Sequence, residues 1–286
     1  MSIDMLYSYR GFYFIPGALN VVEQCHWIKE SLTSFPQPPN RTNHSAFYGA
    51  LPDLFNAAHK KKHLVEVRTS VADVVSSGSF DASSNTDTHL WGFFEDAVVE
   101  RSAYSCKSIA ASFLMRKLRW STLGLQFDWS KRNYDTSLPY NEIPKYLCQL
   151  ARRMADPAMP TGEEFCPEAA IVNYFGSGDM LGGHLDDMEK DWSKPIVSIS
   201  LGCKAIFLLG GRSREDMPTA MFLRSGDIVL MAGQARECFH GVPRIFTDNE
   251  NAEITSLTSQ LSHQEDLCFM EYIRTSRINI NIRQVY

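Results

Sequence analysis

The sequence predicts a mainly β protein with flanking helices: a double-stranded β-helix, or jelly roll, with an N-terminal α/β extension. Three observations support this. From Ala169 onward, short apolar runs alternate with turn residues, as in all-β sandwiches and rolls. The last run, Arg277-Ile278-Asn279-Ile280-Asn281-Ile282-Arg283, alternates strictly between polar and apolar residues, the period of a strand. Finally, Gly182-Gly183-His184-Leu185-Asp186 sets an imidazole and a carboxylate two positions apart, so an extended chain aims both at one point.

The bulk composition narrows the classes. With 286 residues there is room for one large domain or two modest ones, and the texture changes near residue 113. The reading is an extension over 1–112 whose helices pack on the core, followed by the roll over 113–286. Apolar content of 44% and charged content of 21% suit a sizeable core. A net charge of −5 disfavours coating nucleic acid by bulk electrostatics, but leaves room for a local basic surface. The seven cysteines are scattered and never in C-x-x-C spacing, which suggests reduced thiols rather than a disulfide framework or zinc finger. Apolar runs fall short of the ~18 residues of a membrane span. Met1-Ser2-Ile3-Asp4 has neither a secretory nor a transit character. The expectation is a soluble, monomeric protein of nucleus and cytoplasm, or of an organelle if the native chain starts further upstream.

In chain order, Gly11 to Pro16 reads as a short aromatic strand. Asn20 with Glu23 is a variant capping box opening a helix to Leu32, with Val21, Val22, Cys25, Ile28 and Leu32 at helical spacing. Pro36 to Asn40 is a loop, and the Ser-, Asp- and Thr-rich stretch over 75–88 reads as mobile. His59-Lys60-Lys61-Lys62-His63 is a basic run, either a solvated helix face or a phosphate contact. From Phe113 to Gly124 and on through Arg132, cations are interleaved with aromatics, which suits an unstacked nucleotide and equally a half-buried strand. Ile143 to Met154 is a helix begun near Pro144. Strands follow at Ala170–Phe175, Ile196–Leu201, Ala205–Leu209, Thr219–Leu223 and Asp227–Met231, then a polar insertion over 248–266 with a short helix at Leu267–Ile273.

A third ligand would turn His184 and Asp186 into two histidines and one carboxylate on one face of a metal, the arrangement that leaves positions open on ferrous iron. His240, which follows a strand and precedes Gly241 near the far end of the roll, is the best candidate. The other histidines sit in helical, loop or polar contexts. The alternating strand puts Arg277, Asn279, Asn281 and Arg283 on one face: an exposed polar surface, or a cavity for a dicarboxylate held by guanidinium groups.

In this order, Leu118–Gly124, Ile171–Tyr174, His184-Leu185-Asp186, Ser193–Ile196, Ala205–Gly211, Ser225-Gly226-Asp227, His240–Arg244 and Arg277–Arg283 with Gln284-Val285 resemble a known family. It is the AlkB family of iron(II)- and 2-oxoglutarate-dependent dioxygenases, and within it the AlkB homologue 1 subfamily in a plant-like form. The resemblance is strong over 113–286 and weak before it. It implies that His184, Asp186 and His240 hold Fe(II), with 2-oxoglutarate chelating the metal and O2 taking the remaining site. Arg277 would pair the distal carboxylate, while Asn173, Tyr174, Phe175, Asn279, Asn281 and Arg283 line the pocket. Decarboxylation to succinate would drive hydroxylation of a methyl carbon, and the product would shed formaldehyde; no protein acid or base beyond the ligands is implied.

The resemblance further implies a nucleic-acid partner, DNA or tRNA, presented as a flipped or single-stranded base and not at a membrane. Trp120 and Phe127 match the family's substrate-side loop, within about 113–135, and Arg214 a basic residue of a nearby loop. Leu125 stands where relatives often carry tyrosine, and Met188 where alkylation-repair members carry a base-reading aspartate. The substrate favoured is N6-methyladenine in DNA. The alternatives are 1-methyladenine demethylation or 5-methylcytosine oxidation in tRNA, the same chemistry on a protein side chain, or a non-catalytic binding module.

Overall fold

Alternating strands bury one face against another sheet, and two such sheets form the body of the protein. The computed structural model describes residues 4–5, 11–68, 89–95 and 107–286; the stretch expected to be mobile, 75–88, lies outside them. The elements begin with β1 (Asp4–Met5), β2 (Phe12–Ile15), α1 (Val21–Thr33), α2 (Ser45–Tyr48), α3 (Leu54–His59), β3 (His63–Arg68) and β4 (His89–Phe94). They continue through β5 (Ser108–Ala110), α4 (Ala111–Arg116), β6 (Trp120–Gly124), β7 (Gln126–Asp128), β8 (Asn133–Asp135), α5 (Lys145–Ala155) and β9 (Ala169–Phe175). The roll is completed by β10 (Leu181–His184), β11 (Ile196–Gly202), β12 (Ala205–Leu209), β13 (Thr219–Leu223), β14 (Ile228–Met231) and β15 (His240–Ile245). Last come α6 (Thr255–Gln260), α7 (Leu267–Ile273) and β16 (Arg277–Arg283).

A seven-stranded sheet in the order β1-β2-β14-β11-β16-β9-β6 faces a four-stranded sheet in the order β10-β15-β12-β13. Phe12, Phe175, Val229 and Met231 of the large sheet meet Phe207, Leu209, Leu223 and Val242 of the small one in a single core. Register fixes which residues look inward. Arg277, Asn279 and Asn281 of β16 stand opposite Phe175, Asn173 and Ile171 of β9, and Asn173 stands opposite Trp120 of β6. Directly paired residues share a face, so the polar side of β16 continues through Asn173 to Trp120. The outer side of the large sheet packs on α1 and α5 at β11. Asn20 caps α1 with the complete capping box its sequence signals, and α5 starts after Pro144 as expected.

Two compact units emerge: residues 1–42 with 119–286, and residues 43–118. This division differs from the 1–112/113–286 reading. The physical reason is β2, whose Phe12–Ile15 pair with Met231–Ile228 of β14 and so complete the large sheet from the N-terminus. In the smaller unit, β3 lies between β4 and β5, and α3 packs on α4 around Leu54, Phe55, Leu64, Ala111 and Leu114. The basic run there is not a helix face. His59 ends α3, Lys61 takes a left-handed turn conformation, and His63 begins β3.

Among the glycines that leave no room for a side chain, two lie next to the site strands. Gly202 has φ +77°, and a Cβ on it would lie 2.6 Å from the Ser276 carbonyl, beside the start of β16. A Cβ on Gly241 would lie 2.8 Å from the Leu181 carbonyl, where β15 closes on β10 next to His240.

Candidate metal centre and cosubstrate cavity

His184 ends β10 and His240 opens β15, and these strands pair with the two histidines opposite one another. His240 therefore begins a strand rather than following one; the segment before it is a 3-10 turn, Gly233–Glu237. Asp186 lies two residues beyond His184, and the ligand atoms of the three side chains fall within 4.8 Å of one another. His240 Nε2 is 3.5 Å from Asp186 Oδ2, His184 Nε2 is 4.0 Å from Asp186 Oδ1, and the imidazole centroids are 4.4 Å apart.

The tautomers follow from backbone partners. His184 Nδ1 lies 3.0 Å from the Gly182 carbonyl and His240 Nδ1 3.3 Å from the Cys238 carbonyl. A carbonyl only accepts, so each Nδ1 carries a proton, and Nε2 is the nitrogen each ring turns toward the other ligands. Burial, and then the neighbouring His240, pull the His184 pKa below its ordinary value, favouring the neutral ring a metal needs. Burial alone would raise the Asp186 pKa. The Arg283 guanidinium and then the two imidazoles outweigh it and hold the carboxyl well below the usual carboxylate range.

A cavity between the sheets is lined by this triad together with Ser198, Arg277, Asn279 and Asn281. Arg277 is 1% exposed. Its Nη2 donates to Ser200 Oγ at 2.8 Å, while Nε and Nη1 are buried without a partner. Burial lowers its pKa to about 10, so it remains cationic at neutral pH. A buried guanidinium with unmet donors facing a cavity is a receptor for an anion. The residues thus fit both groups: two imidazoles and one carboxylate within 4.8 Å of one another suit a divalent metal, and Arg277 suits the far carboxylate of a dicarboxylate.

Other expected pocket residues are placed differently. Asn279 lines the cavity, but its amide donates to Ser198 Oγ and the Ile199 carbonyl. Arg283 is not a free pocket wall; it pairs with Asp186 Oδ1 at 2.8 Å and Glu189 Oε1 at 3.1 Å. Tyr174 does not face the cavity at all. Strand alternation turns it outward, where its hydroxyl donates to the Ser31 carbonyl of α1 at 2.6 Å and lies 3.0 Å from Ser121 Oγ. Phe175 faces inward but is spent on the hydrophobic core, and Asn173 shares the inner face at half burial.

Among the expected substrate residues, Trp120 sits on the inner face of edge strand β6, and its ring is 5.2 Å from that of Trp129. Leu125 and Phe127 are buried with Tyr134, Ala169 and Val285, and Met188 packs against that cluster. Trp129 is the aromatic that hairpin β7–β8 leaves open, at 48% exposure, edge-to-face on Phe127. Arg214 is exposed beside the H-x-D segment, donating to the Gly183 carbonyl at 3.1 Å and lying 4.6 Å over the Phe239 ring. It borders a cleft lined by Met180, Gly182, Gly183, Leu208, Phe239 and His240. Sequence reasoning missed Arg236, Glu189 and Tyr134, buried polar residues grouped behind Asp186. The only local signal was a Glu three residues after the Asp ligand and an Arg four before His240.

Fold and site together define a mononuclear non-haem iron oxygenase: a jelly roll whose H-x-D and distant His leave metal positions open. The model of the 2OG-Fe(II) oxygenase superfamily matches residues 93–283. The chain is 66% identical over 277 residues to the Arabidopsis thaliana DNA N(6)-methyladenine demethylase ALKBH1A, covering 96% of this chain and 75% of that one. It is 32% identical over 295 residues to the human nucleic acid dioxygenase ALKBH1, covering 98% of this chain and 65% of the relative's length. The solved structure of OsALKBH1 superposes with a TM-score of 0.54 at 18% identity, covering 99% of this chain and 100% of that one; it bears on the fold alone. The chain belongs to the 2OG-Fe(II) oxygenase superfamily and, within it, to the AlkB homologue 1 subfamily. It is an Fe(II)- and 2-oxoglutarate-dependent dioxygenase that consumes O2 as cosubstrate.

Proposed function

We propose that this dioxygenase removes methyl groups oxidatively from adenine in nucleic acid, with N6-methyladenine in DNA as the substrate. The supporting observation is its 66% identity, across nearly the whole chain, to a relative named for that activity. In this reading His184, Asp186 and His240 are the metal ligands and Arg277 binds the distal carboxylate of 2-oxoglutarate. Bound iron with 2-oxoglutarate and O2 supplies oxidation of the methyl carbon, whose product loses formaldehyde.

The protein's own contribution is placement. The backbone carbonyls of Gly182 and Cys238 orient the two imidazoles. Arg283 holds Oδ1 of Asp186 and leaves Oδ2 beside His240. The apolar inner faces around Phe207, Leu223, Val229 and Met231 line the cavity and exclude water. Trp120 and Trp129 offer aromatic faces to an unstacked base, and Arg214 offers a cation at the rim.

The test is methyl loss from a panel of defined DNA and tRNA substrates, read by the mass of the digested nucleosides. Loss from N6-methyladenine in DNA, accompanied by succinate and absent in His184→Ala and Asp186→Ala proteins that remain folded, is expected. Preferential turnover of 1-methyladenine or 5-methylcytosine in tRNA overturns the DNA reading. That second reading is kept in view by a named relative: the tRNA demethylase abh1 of Schizosaccharomyces pombe is 35% identical over 170 residues, covering 59% of this chain and 53% of that one.

A further inference from the structure

Behind Asp186, on the side away from the cavity, lies a buried group of charges that the reaction does not use directly. Arg236, Glu189 and Arg283 are 2%, 4% and 5% exposed. Arg236 donates to the Asp186 backbone carbonyl through Nη1 at 3.1 Å and to Glu189 Oε2 through Nη2 at 2.9 Å. The other oxygen of Glu189 receives Arg283 Nη1 at 3.1 Å and the Tyr134 hydroxyl at 3.3 Å. Arg283 Nη2 then reaches Asp186 Oδ1 at 2.8 Å, and its Nη1 donates to the Tyr134 hydroxyl at 3.1 Å. Trp192 pins the Glu189 backbone, its indole N–H donating to the Glu189 carbonyl at 3.0 Å.

The charge count explains the arrangement. Two guanidinium groups face two carboxylates, so the buried group is neutral. Without Glu189, Arg236 would lose its carboxylate partner while still bonded to the Asp186 backbone carbonyl, and a divalent cation binding the Asp186 side chain would meet an uncompensated positive charge nearby. With Glu189 present, only Arg283 touches the Asp186 side chain, and Oδ2 remains beside His240. Burial also pushes the Tyr134 pKa up to about 12, so its hydroxyl stays a donor to Glu189 at neutral pH.

We propose that Glu189 is a positioning residue whose negative charge neutralises Arg236 and shares Arg283, leaving the charge of Asp186 available to the metal. The proposal rests on the reading of His184, Asp186 and His240 as the metal ligands. It assigns Glu189 an electrostatic role rather than a geometric one, and the two are separable by charge rescue.

The probe is Mn(II), titrated into the apoprotein without 2-oxoglutarate and followed by loss of the free-ion electron paramagnetic resonance signal. Glu189→Gln is expected to weaken Mn(II) binding by about tenfold or more, the range of outer-shell substitutions at metal sites. Glu189→Gln combined with Arg236→Gln restores neutrality while cutting further hydrogen bonds, and is expected to return affinity to within about threefold of the parent. Tyr134→Phe keeps the charge count and is expected to change affinity by less than about threefold. Circular dichroism and melting temperature accompany each protein. Should Glu189→Gln alone fail to fold, the balanced double variant and Tyr134→Phe carry the test. Unchanged affinity in Glu189→Gln, a double variant no tighter than the single one, or a tenfold loss in Tyr134→Phe each overturns the proposal. If His184→Ala binds Mn(II) as tightly as the parent, the ligand assignment itself fails, an outcome distinct from failure of the Glu189 role.

Discussion

At the scale of single residues, the site is built from side chains whose hydrogen-bond needs are met on one side and open on the other. Arg277 is the sharpest case. A guanidinium buried with two unpartnered nitrogens costs free energy in the empty protein, which a bound carboxylate recovers. Replacing Arg277 with Met should therefore leave the melting temperature of the apoprotein unchanged or raised. The same change should raise the KM for 2-oxoglutarate roughly 10- to 100-fold, from about 1.5–3 kcal/mol of lost charged hydrogen bonding. Thermal scans with and without 2-oxoglutarate, beside succinate kinetics, check both halves. A stabilising response to 2-oxoglutarate that survives the substitution counts against this role. Arg283, which alternation placed on the same face, has a different duty because it is paired with Asp186 of the H-x-D and with Glu189 just after it. Sequence period alone put Arg277 and Arg283 on one face and did not tell them apart.

At the scale of elements, two features decide geometry. The first is the close approach of β10 and β15 at Gly241, which sets the two histidines opposite one another. Gly241→Val would force a side chain onto the Leu181 carbonyl, and a cost of about 1–3 kcal/mol is expected, with weakened metal binding. Chemical denaturation with a parallel Mn(II) titration measures both. A variant as stable and as tight as the parent contradicts this account. The second is the β7–β8 hairpin. Phe127 was expected to meet a base, yet Leu125, Phe127 and Tyr134 form a small core of their own that braces the hairpin. The exposed ring is Trp129. Trp129→Ala should weaken single-stranded oligonucleotide binding by about 1–3 kcal/mol, the scale of base–aromatic stacking, while stability changes little. Fluorescence anisotropy against a labelled strand checks this, and equal affinity in the variant removes Trp129 from the binding surface.

At the scale of the whole molecule, a net charge of −5 requires any nucleic-acid contact to be local. Many cations of the larger unit are already neutralised by carboxylates, as in Lys29–Asp266, Arg212–Glu237, Arg224–Glu253 and Arg244–Glu250. A nucleic-acid substrate held by a few phosphate contacts predicts a shallow but measurable slope of log affinity against log salt. A salt-independent affinity would instead support the same oxidation on a protein side chain.

Much of this protein was legible in its residues because the relevant information is local. The period of β16, the Asn20–Glu23 cap, the start of α5 at Pro144 and the H-x-D pair each depend on a few neighbours along the chain. The ordered motifs also carried His240 across more than fifty residues. Tertiary structure alone decided the rest. It joined the N-terminal strand to the large sheet, because the free edge of β14 needs a partner and β2 supplies it. It turned Tyr174 outward and sank Phe127, because which side of a strand faces the cavity depends on the sheets it meets. It also gathered Tyr134, Glu189, Arg236 and Arg283 behind Asp186. Beyond a Glu three residues after Asp186 and an Arg four before His240, no spacing in the chain announces that cluster, since charges from three separate segments can neutralise one another only once folding has buried them together.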